Sequence, residues 1–359
     1  MWGFFREVNK VEDLQFLNLA IMEAQKARDS TWTNPLVGAV IVKNHKVLAT
    51  GYHHKFGQVH AEIDALNNLA DIHDARNATI YITLEPCSHY GKTPPCANRL
   101  ITVGIKRVVI GQKDPNPLVA GKGITLLENA GVSVDLIGHT EYLNMKYNFF
   151  FKNKRPFITL KYAMTLDGKI NQYKSSRSII SNYTSYLDTQ NLRADNQAIL
   201  IGETTLIADN PQLNVRTKTM EFPPIKIILV NSADSLDSSL NIFQGTEPVW
   251  ILSRRISKKH WPKNIQVYSN SHWSVKDIIN FLNKKEIQSL LVEGGSSIHA
   301  KFVSANLVDE LVIYIAPKIF GGSSLPAIYG VTNSNNFDMT IKDISQLDGD
   351  IRIIARRTN

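Results

Sequence analysis

The chain has 359 residues, 43% of them hydrophobic and 20% charged, with a formal net charge of +8 and only two cysteines. That length is more than one hydrophobic core usually fills, so two domains are expected, and the ordinary apolar-to-charged balance excludes a fibrous or disordered chain. Two cysteines speak against a disulfide scaffold, and no apolar run is long enough to span a bilayer. Charges at Arg6, Glu7, Lys10, Glu12 and Asp13 interrupt any signal-peptide core, so a cytoplasmic protein without a membrane partner is expected. The positive charge suits anionic partners, either nucleic acid or phosphorylated small molecules, and suits equally a generally basic surface.

Residues 11–28 place Leu14, Leu17, Ile21 and Ala24 on one face at helical spacing. Apolar runs at about 37–42 and 47–52, joined by the polar turn KNHK, read as strands. The stretch HAEIDALNNLADIH, starting at His60, carries Ile63, Leu66 and Ala70 at helical spacing. ATIYITLEP reads as a strand ending at Pro86, and PPCANRLITVG as a helix with Pro95 near its first turn and Gly104 near its stop. A strand (IKRVVIG), a helix (GITLLENAG) and a strand (VSVDLIG) complete an α/β domain over residues 1–152. The basic stretch NKRP marks the boundary, and a second α/β series fills 153–359. PFITLKYAMTLDGKI opens that series. AILIG, IKIILV, VWILS and LLVEGG read as buried parallel strands, and DELVIYIAPKIFGG supplies a late one.

Both cysteines lie in LEPCSHYGKTPPC, with eight residues between Cys87 and Cys96. On spacing alone, a disulfide-closed loop, two inert buried thiols and a metal site are all open. His60 and Glu62 upstream shift the balance. One histidine and two thiolates are donors that Zn²⁺ favours, and three protein ligands leave a fourth tetrahedral position for water, as in catalytic sites. Glu62 is then the group that moves protons, in the H-x-E…P-C…C pattern of nucleobase deaminases, where the glutamate is not a ligand. Pro86 and Pro95 each precede a cysteine, which places Cys87 and Cys96 near helix starts, where N–H groups and the helix dipole favour thiolate. Two residues along a regular helix are about 200° of rotation, so His60 and Glu62 converge only if the helix begins around them.

Here the sequence resembles the bifunctional deaminase–reductase family of riboflavin biosynthesis. NPLVGAVIV, GYHHKFGQVHAE, TLEPCSHYGKTPPC and DPNPLVAGKGI carry the likeness to its deaminase half, a cytidine-deaminase-like three-layer α/β fold. The eight-residue spacer separates the chain from nucleic-acid and free-nucleoside deaminases, which usually space their cysteines by two. The resemblance implies one zinc ion in this domain, held by His60, Cys87 and Cys96, with Glu62 as proton shuttle. It implies a diaminopyrimidinone carrying a ribosylamino phosphate as substrate, with water replacing one ring amino group. It also implies that Asn34, His54, His89 and Lys92 line the pyrimidine and phosphate pocket; as bare residues they read equally as solvated loop positions.

In the second domain, Gly294 and Gly295 stand between an apolar strand and a helix pattern. They permit close backbone approach to a phosphate at the helix start, although an ordinary turn reads the same way. There is no GxGxxG, so a Rossmann domain is not indicated. KYAMTLDGKI, LRADNQAILIGETTLIADNPQLNVR and DELVIYIAPKIFGG make this domain similar to the reductase half of the same family, a dihydrofolate-reductase-like α/β fold that uses NADPH. The resemblance implies cofactor contacts at Ala163, Ile179, Thr205, Asp209, Ser232, Gly295, Ser296, Ser297, Ile298, His299, Ala300 and Lys301. It implies substrate contacts at Arg177, Arg193, Leu213, Arg216 and Glu293. Two arginines, Arg193 and Arg216, suit a sugar phosphate, because guanidinium offers paired donors. The chemistry implied is hydride transfer to C1′ of the ring-opened ribosylamino group, with Asp209 and Glu293 as candidate proton donors.

The chain departs from the family in SSRSIIS, where Arg177 replaces a serine and Ile179 a tryptophan, and at Asn231, where an acidic residue is common. Loss of the tryptophan removes a flat contact surface, and Arg177 adds a charge that either grips a phosphate or blocks the pocket. The expected partners are a phosphorylated pyrimidine and further copies of this chain in a homo-oligomer, with no nucleic acid. Two alternatives stand beside this reading: a tRNA-type deaminase with a C-terminal docking module, and a deaminase whose reductase-like half is inactive. The absence of an aromatic-and-basic stacking segment from the second domain weighs against the first.

Overall fold

The computed structural model describes residues 2–88, 95–173, 178–330 and 337–358, with side chains from residue 11 onward; His89, Lys92 and Arg177 lie outside the described residues. The chain divides into two compact units, Met1–Lys154 and Arg155–Asn359. No helix among the described residues is long and apolar enough to cross a membrane.

The first unit runs α1 (Trp2–Gln25), β1 (Gly38–Lys43), β2 (Lys46–Tyr52), α2 (Ala61–Asn67), β3 (Thr79–Ile82), α3 (Cys96–Val103), β4 (Arg107–Ile110), α4 (Lys122–Asn129), β5 (Ser133–Leu136) and α5 (Met145–Asn153). Its sheet has the order β2-β1-β3-β4-β5, antiparallel at β1 and parallel from β3 to β5. Alternation along β1 sends Ala39 and Ile41 into a core with Ala61, Ala65 and Leu66 of α2, Leu100 of α3 and Leu127 of α4. It sends Val40 and Val42 to the other face, against Ala20 and Phe16 of α1. Helices therefore cover both faces, in three layers. A Cβ on Gly51 of β2 would lie 2.2 Å from the backbone nitrogen of Ala65, so glycine lets α2 sit directly on the sheet.

α2 is shorter than the apolar spacing predicts. It stops with Asn68 as its C-cap, and Ile72–Ala75 forms a separate 3₁₀ turn capped by Asp71. Its buried face is Ala61, Ala65 and Leu66, whereas Ile63 is half-buried and Ala70 exposed.

The second unit runs β6 (Phe157–Thr165), β7 (Lys169–Asn171), α6 (Tyr183–Ala194), β8 (Ala198–Gly202), α7 (Glu203–Asp209), β9 (Ile225–Val230), β10 (Val249–Ser253), β11 (Ile265–Ser269), α8 (Val275–Lys284), β12 (Ser289–Val292), α9 (Ser296–Ser304), β13 (Glu310–Ala316), β14 (Leu325–Pro326), β15 (Met339–Leu347) and β16 (Asp350–Arg357). The main sheet has the order β11-β10-β9-β8-β12-β6-β13-β16-β15. It is parallel from β11 to β13, and the β15–β16 hairpin adds an antiparallel edge. β8, β9, β10 and β12 are buried at every residue, as continuous apolar runs require of central parallel strands. The chain leaves β8 towards β9–β11 on one side, while β12, β6 and β13 lie on the other. That reversal opens a crevice beyond the strands' carboxyl ends, where ligands of open α/β sheets bind.

Candidate active sites

In the first unit His60 is the N-cap of α2, with extended backbone (φ −77°, ψ 161°), so the helix starts at Ala61 and Glu62 lies in its first turn. Cys96 is the first residue of α3, behind Pro95. Cys87 follows the segment that leaves β3. His60 Nδ1 lies 3.5 Å from Cys87 Sγ and 3.3 Å from Cys96 Sγ, and the three donor atoms are all within 4.8 Å of one another. Tetrahedral zinc with nitrogen at about 2.0 Å and sulfur at about 2.3 Å separates N from S by about 3.5 Å. The trio fits that ion in donor type and in spacing.

The Cys96 N–H donates to Cys87 Sγ at 3.3 Å, so the start of α3 supports a thiolate there. Hydrogen bonding with Cys96 and His60 outweighs burial and pulls the Cys87 thiol down to about 4. The bond to Cys87 raises His60 to about 9, and Cys96's own hydrogen bond with Cys87, together with burial, pushes the Cys96 thiol up. Glu62 is 3% exposed, and burial lifts its carboxyl to about 7 despite the nearby His60. A carboxyl poised there can both accept and return a proton near neutral pH.

The loop that carries Cys87 is anchored by Glu85. Its buried carboxylate accepts from the backbone N–H groups of Gly121 (2.9 Å), Gly123 (3.0 Å), Asp114 (3.3 Å) and Ile124 (3.3 Å). A Cβ on Gly123 would lie 2.1 Å from the Pro86 carbonyl oxygen, so the start of α4 packs against the residue preceding the ligand.

His53 is 3% exposed and meets the His60 ring edge-on, with centroids 5.7 Å apart. Its Nδ1 is 2.9 Å from Val59 O and its Nε2 is 3.0 Å from Asn34 Nδ2. Burial lowers its pKa. Asn34 is thus tied, through His53, to the segment leading into His60. His54 instead pairs with Asp64 at 2.9 Å and stacks on Tyr52. His53 was not among the residues expected from the sequence. The signal was the alternation of buried Ala49, Gly51 and His53 along and beyond β2.

The second unit holds a cavity of about 880 Å³ at the strands' carboxyl ends. Its wall includes Ala163, Ile179, Thr205, Asp209, Gly295, Ser296, Ser297, Ile298, His299 and Lys301, and also Arg193, Leu213, Arg216 and Glu293. Ser232 and Ala300 are not on that wall: Ser232 caps the 3₁₀ turn Ala233–Ser235, and Ala300 is buried within α9. Ile179 is 76% exposed, and Lys318 Nζ donates to the carbonyls of Ile179 (3.1 Å) and Ile180 (2.7 Å).

Two expectations change here. Arg193 donates through Nε to Glu293 Oε1 (2.6 Å), through Nη2 to Glu293 Oε2 (3.0 Å) and through Nη1 to Asn214 O (3.1 Å). It is therefore committed within the protein, whereas Arg216 lines the cavity with its guanidinium 5.2 Å from the Tyr186 ring centroid. Burial would raise Glu293, but the charges of Arg193 and Lys161 override it and hold the carboxyl down at about 2. Glu293 is then a hydrogen-bond acceptor and no proton donor at neutral pH. Lys161 Nζ stands 3.6 Å from Glu293 Oε2 and also lines the cavity. Lys161 was not among the residues expected from the sequence, although it lies two residues from Ala163 on the same face of β6.

Residues 156–353 match the family described as the RibD C-terminal domain, and residues 10–112 match the cytidine and deoxycytidylate deaminase zinc-binding region. The riboflavin biosynthesis protein RibD of Bacillus amyloliquefaciens is 36% identical over 354 residues, 95% of each chain. The chain belongs to the RibD family. RibD of Escherichia coli strain K12 is 33% identical over 365 residues, covering 95% of this chain and 98% of that one. Among solved structures, RibD of Acinetobacter baumannii superposes with a TM-score of 0.88 at 32% identity, over 97% of this chain and 99% of that one. A Thermotoga maritima protein, described as a diaminohydroxyphosphoribosylaminopyrimidine deaminase/5-amino-6-(5-phosphoribosylamino)uracil reductase, superposes at 0.86 with 32% identity over the same shares. As a RibD protein this chain is a bifunctional enzyme of riboflavin biosynthesis, with a zinc-binding-type deaminase domain followed by a reductase domain.

Proposed function

We propose that the first unit deaminates 2,5-diamino-6-ribosylamino-4(3H)-pyrimidinone 5′-phosphate at one zinc ion held by His60, Cys87 and Cys96. The second unit then reduces the ribosyl to a ribityl side chain with NADPH. The observation that carries the first step is a donor trio spaced 3.3–3.5 Å about His60 beside a buried carboxyl raised to about 7. Zinc in such a site lowers the pKa of water towards neutrality and so makes it a nucleophile. Glu62 takes a proton from the attacking water and delivers one to the departing amine. Val59 O can only accept, so His53 carries its proton on Nδ1 and its Nε2 accepts from Asn34. That fixes the Asn34 amide with its carbonyl oxygen free for the pyrimidine ring.

In the reductase half, Arg216 supplies the phosphate contact, while the Lys161–Glu293–Arg193 group holds the sugar in register. A cavity at the upper end of small-molecule pocket sizes favours two small ligands over a nucleic-acid docking surface.

One assay tests both steps. The purified protein is given the diaminopyrimidine ribosyl phosphate, and ammonia release and NADPH oxidation are followed together, with and without chelator. Ammonia release that stops with chelator and returns with zinc, followed by NADPH oxidation, is expected. No ammonia from zinc-loaded protein would sink the deaminase assignment, and ammonia without NADPH oxidation would confine the protein to the first step.

A further inference from the structure

Among the described residues, six buried side-chain polar atoms have no hydrogen-bond partner, and three of them, Gln190 Nε2, Ser296 Oγ and His299 Nε2, belong to residues on the wall of the second unit's cavity. Buried polar groups are nearly always paired, so a cluster of orphans on a cavity wall marks groups that a ligand satisfies. Ser296 and His299 lie on α9, among the expected cofactor contacts. Gln190 lies on α6, away from them in the chain and bound to a substrate arginine. It is 0% exposed, and its Oε1 accepts from the Arg216 N–H at 2.9 Å. A backbone N–H only donates, so that bond fixes which end of the amide is oxygen and leaves the Nε2 protons without a partner.

Tyr186, Thr189, Gln190 and Arg193 form one stripe of α6 along the wall, at helical spacing. Within it, Arg193 is engaged by Glu293 and Asn214, and Thr189 Oγ1 donates to Ser185 O at 3.0 Å. The Arg216 guanidinium lies over the Tyr186 ring, and Gln190 is four residues on from Tyr186, about 5–6 Å away between Cβ atoms. Guanidinium and amide therefore border the same part of the cavity. Donors of both kinds suit an oxyanion, and a phosphate presents three acceptor oxygens. We propose that Gln190 is a further substrate-binding residue of the reductase half, its Nε2 donating to an oxygen of the substrate's phosphate beside Arg216. The proposal rests on the reading that this cavity reduces a sugar phosphate, and it adds a neutral donor to the group that recognises it.

The test follows NADPH oxidation by the full chain with already deaminated pyrimidine ribosyl phosphate, in the unaltered enzyme and in Gln190→Glu, Gln190→Met and Asn191→Ala. Gln190→Glu keeps the acceptor for the Arg216 N–H and sets a carboxylate against the phosphate. Gln190→Met keeps the length and loses donor and acceptor without adding charge. Asn191 is exposed, adjoins Gln190 and is not on the cavity wall. KM is expected to rise roughly 10- to 100-fold in Gln190→Glu and by less in Gln190→Met, with kcat within about threefold and the second unit's calorimetric transition in place. Asn191→Ala should leave both constants unchanged. Ribose 5-phosphate should inhibit the unaltered enzyme better than ribose does, and Gln190→Glu should erase most of that advantage. The role of Gln190 is overturned by an unchanged KM in either folded variant, or by a raised KM with the advantage of ribose 5-phosphate intact. It is overturned equally by an unaltered enzyme indifferent between ribose 5-phosphate and ribose. If the unaltered enzyme reduces no substrate at all, the reductase reading itself falls, and this proposal with it.

Discussion

Replacing Glu62 by Gln keeps the side chain's shape and removes its base. Ammonia release is expected to fall by about 10²–10⁴-fold, while zinc content stays at the unaltered level and reduction of already deaminated substrate continues. Zinc lost along with activity would show that Glu62 supports the ligands instead. A second titratable residue bears on stability. His299 is 1% exposed, donates through Nδ1 to Ala327 O at 2.9 Å, and is pulled down to about 4 by burial. The folded chain keeps it neutral to about pH 4, whereas the unfolded chain protonates it near 6.5. Its contribution is therefore complete above about pH 6.5 and is lost as pH falls towards 4, by roughly 3 kcal/mol at most. Denaturation of the unaltered chain and of His299→Gln at several pH values should show the gap between them shrinking as the solution is acidified. At this scale the trio and Glu62 were legible, because donor type and spacing are written in the chain. His53, Lys161 and the capture of Arg193 by Glu293 were not: they depend on which neighbour faces inward and on a partner a hundred residues away.

Elements place these residues, and their contacts can be broken singly. In Gly123→Ala the new methyl group would meet the Pro86 carbonyl oxygen at 2.1 Å, a backbone atom that cannot swing aside. The variant should lose about 1–3 kcal/mol or more and give up zinc faster to a competing chelator. Unchanged zinc retention would show that the Glu85 anchor alone is enough to hold the loop. Buried strands were the most legible elements, since β8, β9, β10 and β12 are unbroken apolar runs. α2 was read too long because Leu69 and Ala70 extend the apolar spacing past a chain already turned by Asn68. The β15–β16 hairpin drew no expectation. It is an edge whose outer strand, MTIKDISQL, is largely solvated and carries no continuous apolar signal.

For the whole molecule, each unit carries its own core and its own ligand chemistry. Ligands stabilise the state that binds them, so in calorimetry chelator should lower one transition and NADPH raise another, with little crossing between them. A single transition that moves with both would refute this. The two α/β halves and their family were legible from motifs spread over the chain, while the cavity wall, assembled from β6, α6, β8, α7, β9, α9 and the segments that follow them, was not. The anchoring of the Cys87 loop by Glu85 has a last consequence. The loop that carries Cys87 is held by backbone groups that are not metal donors, so its position does not depend on zinc, and zinc is expected to enter after folding is finished. A cell short of zinc is then expected to hold a folded, refillable reserve of this enzyme, silent in its first reaction and still competent in its second.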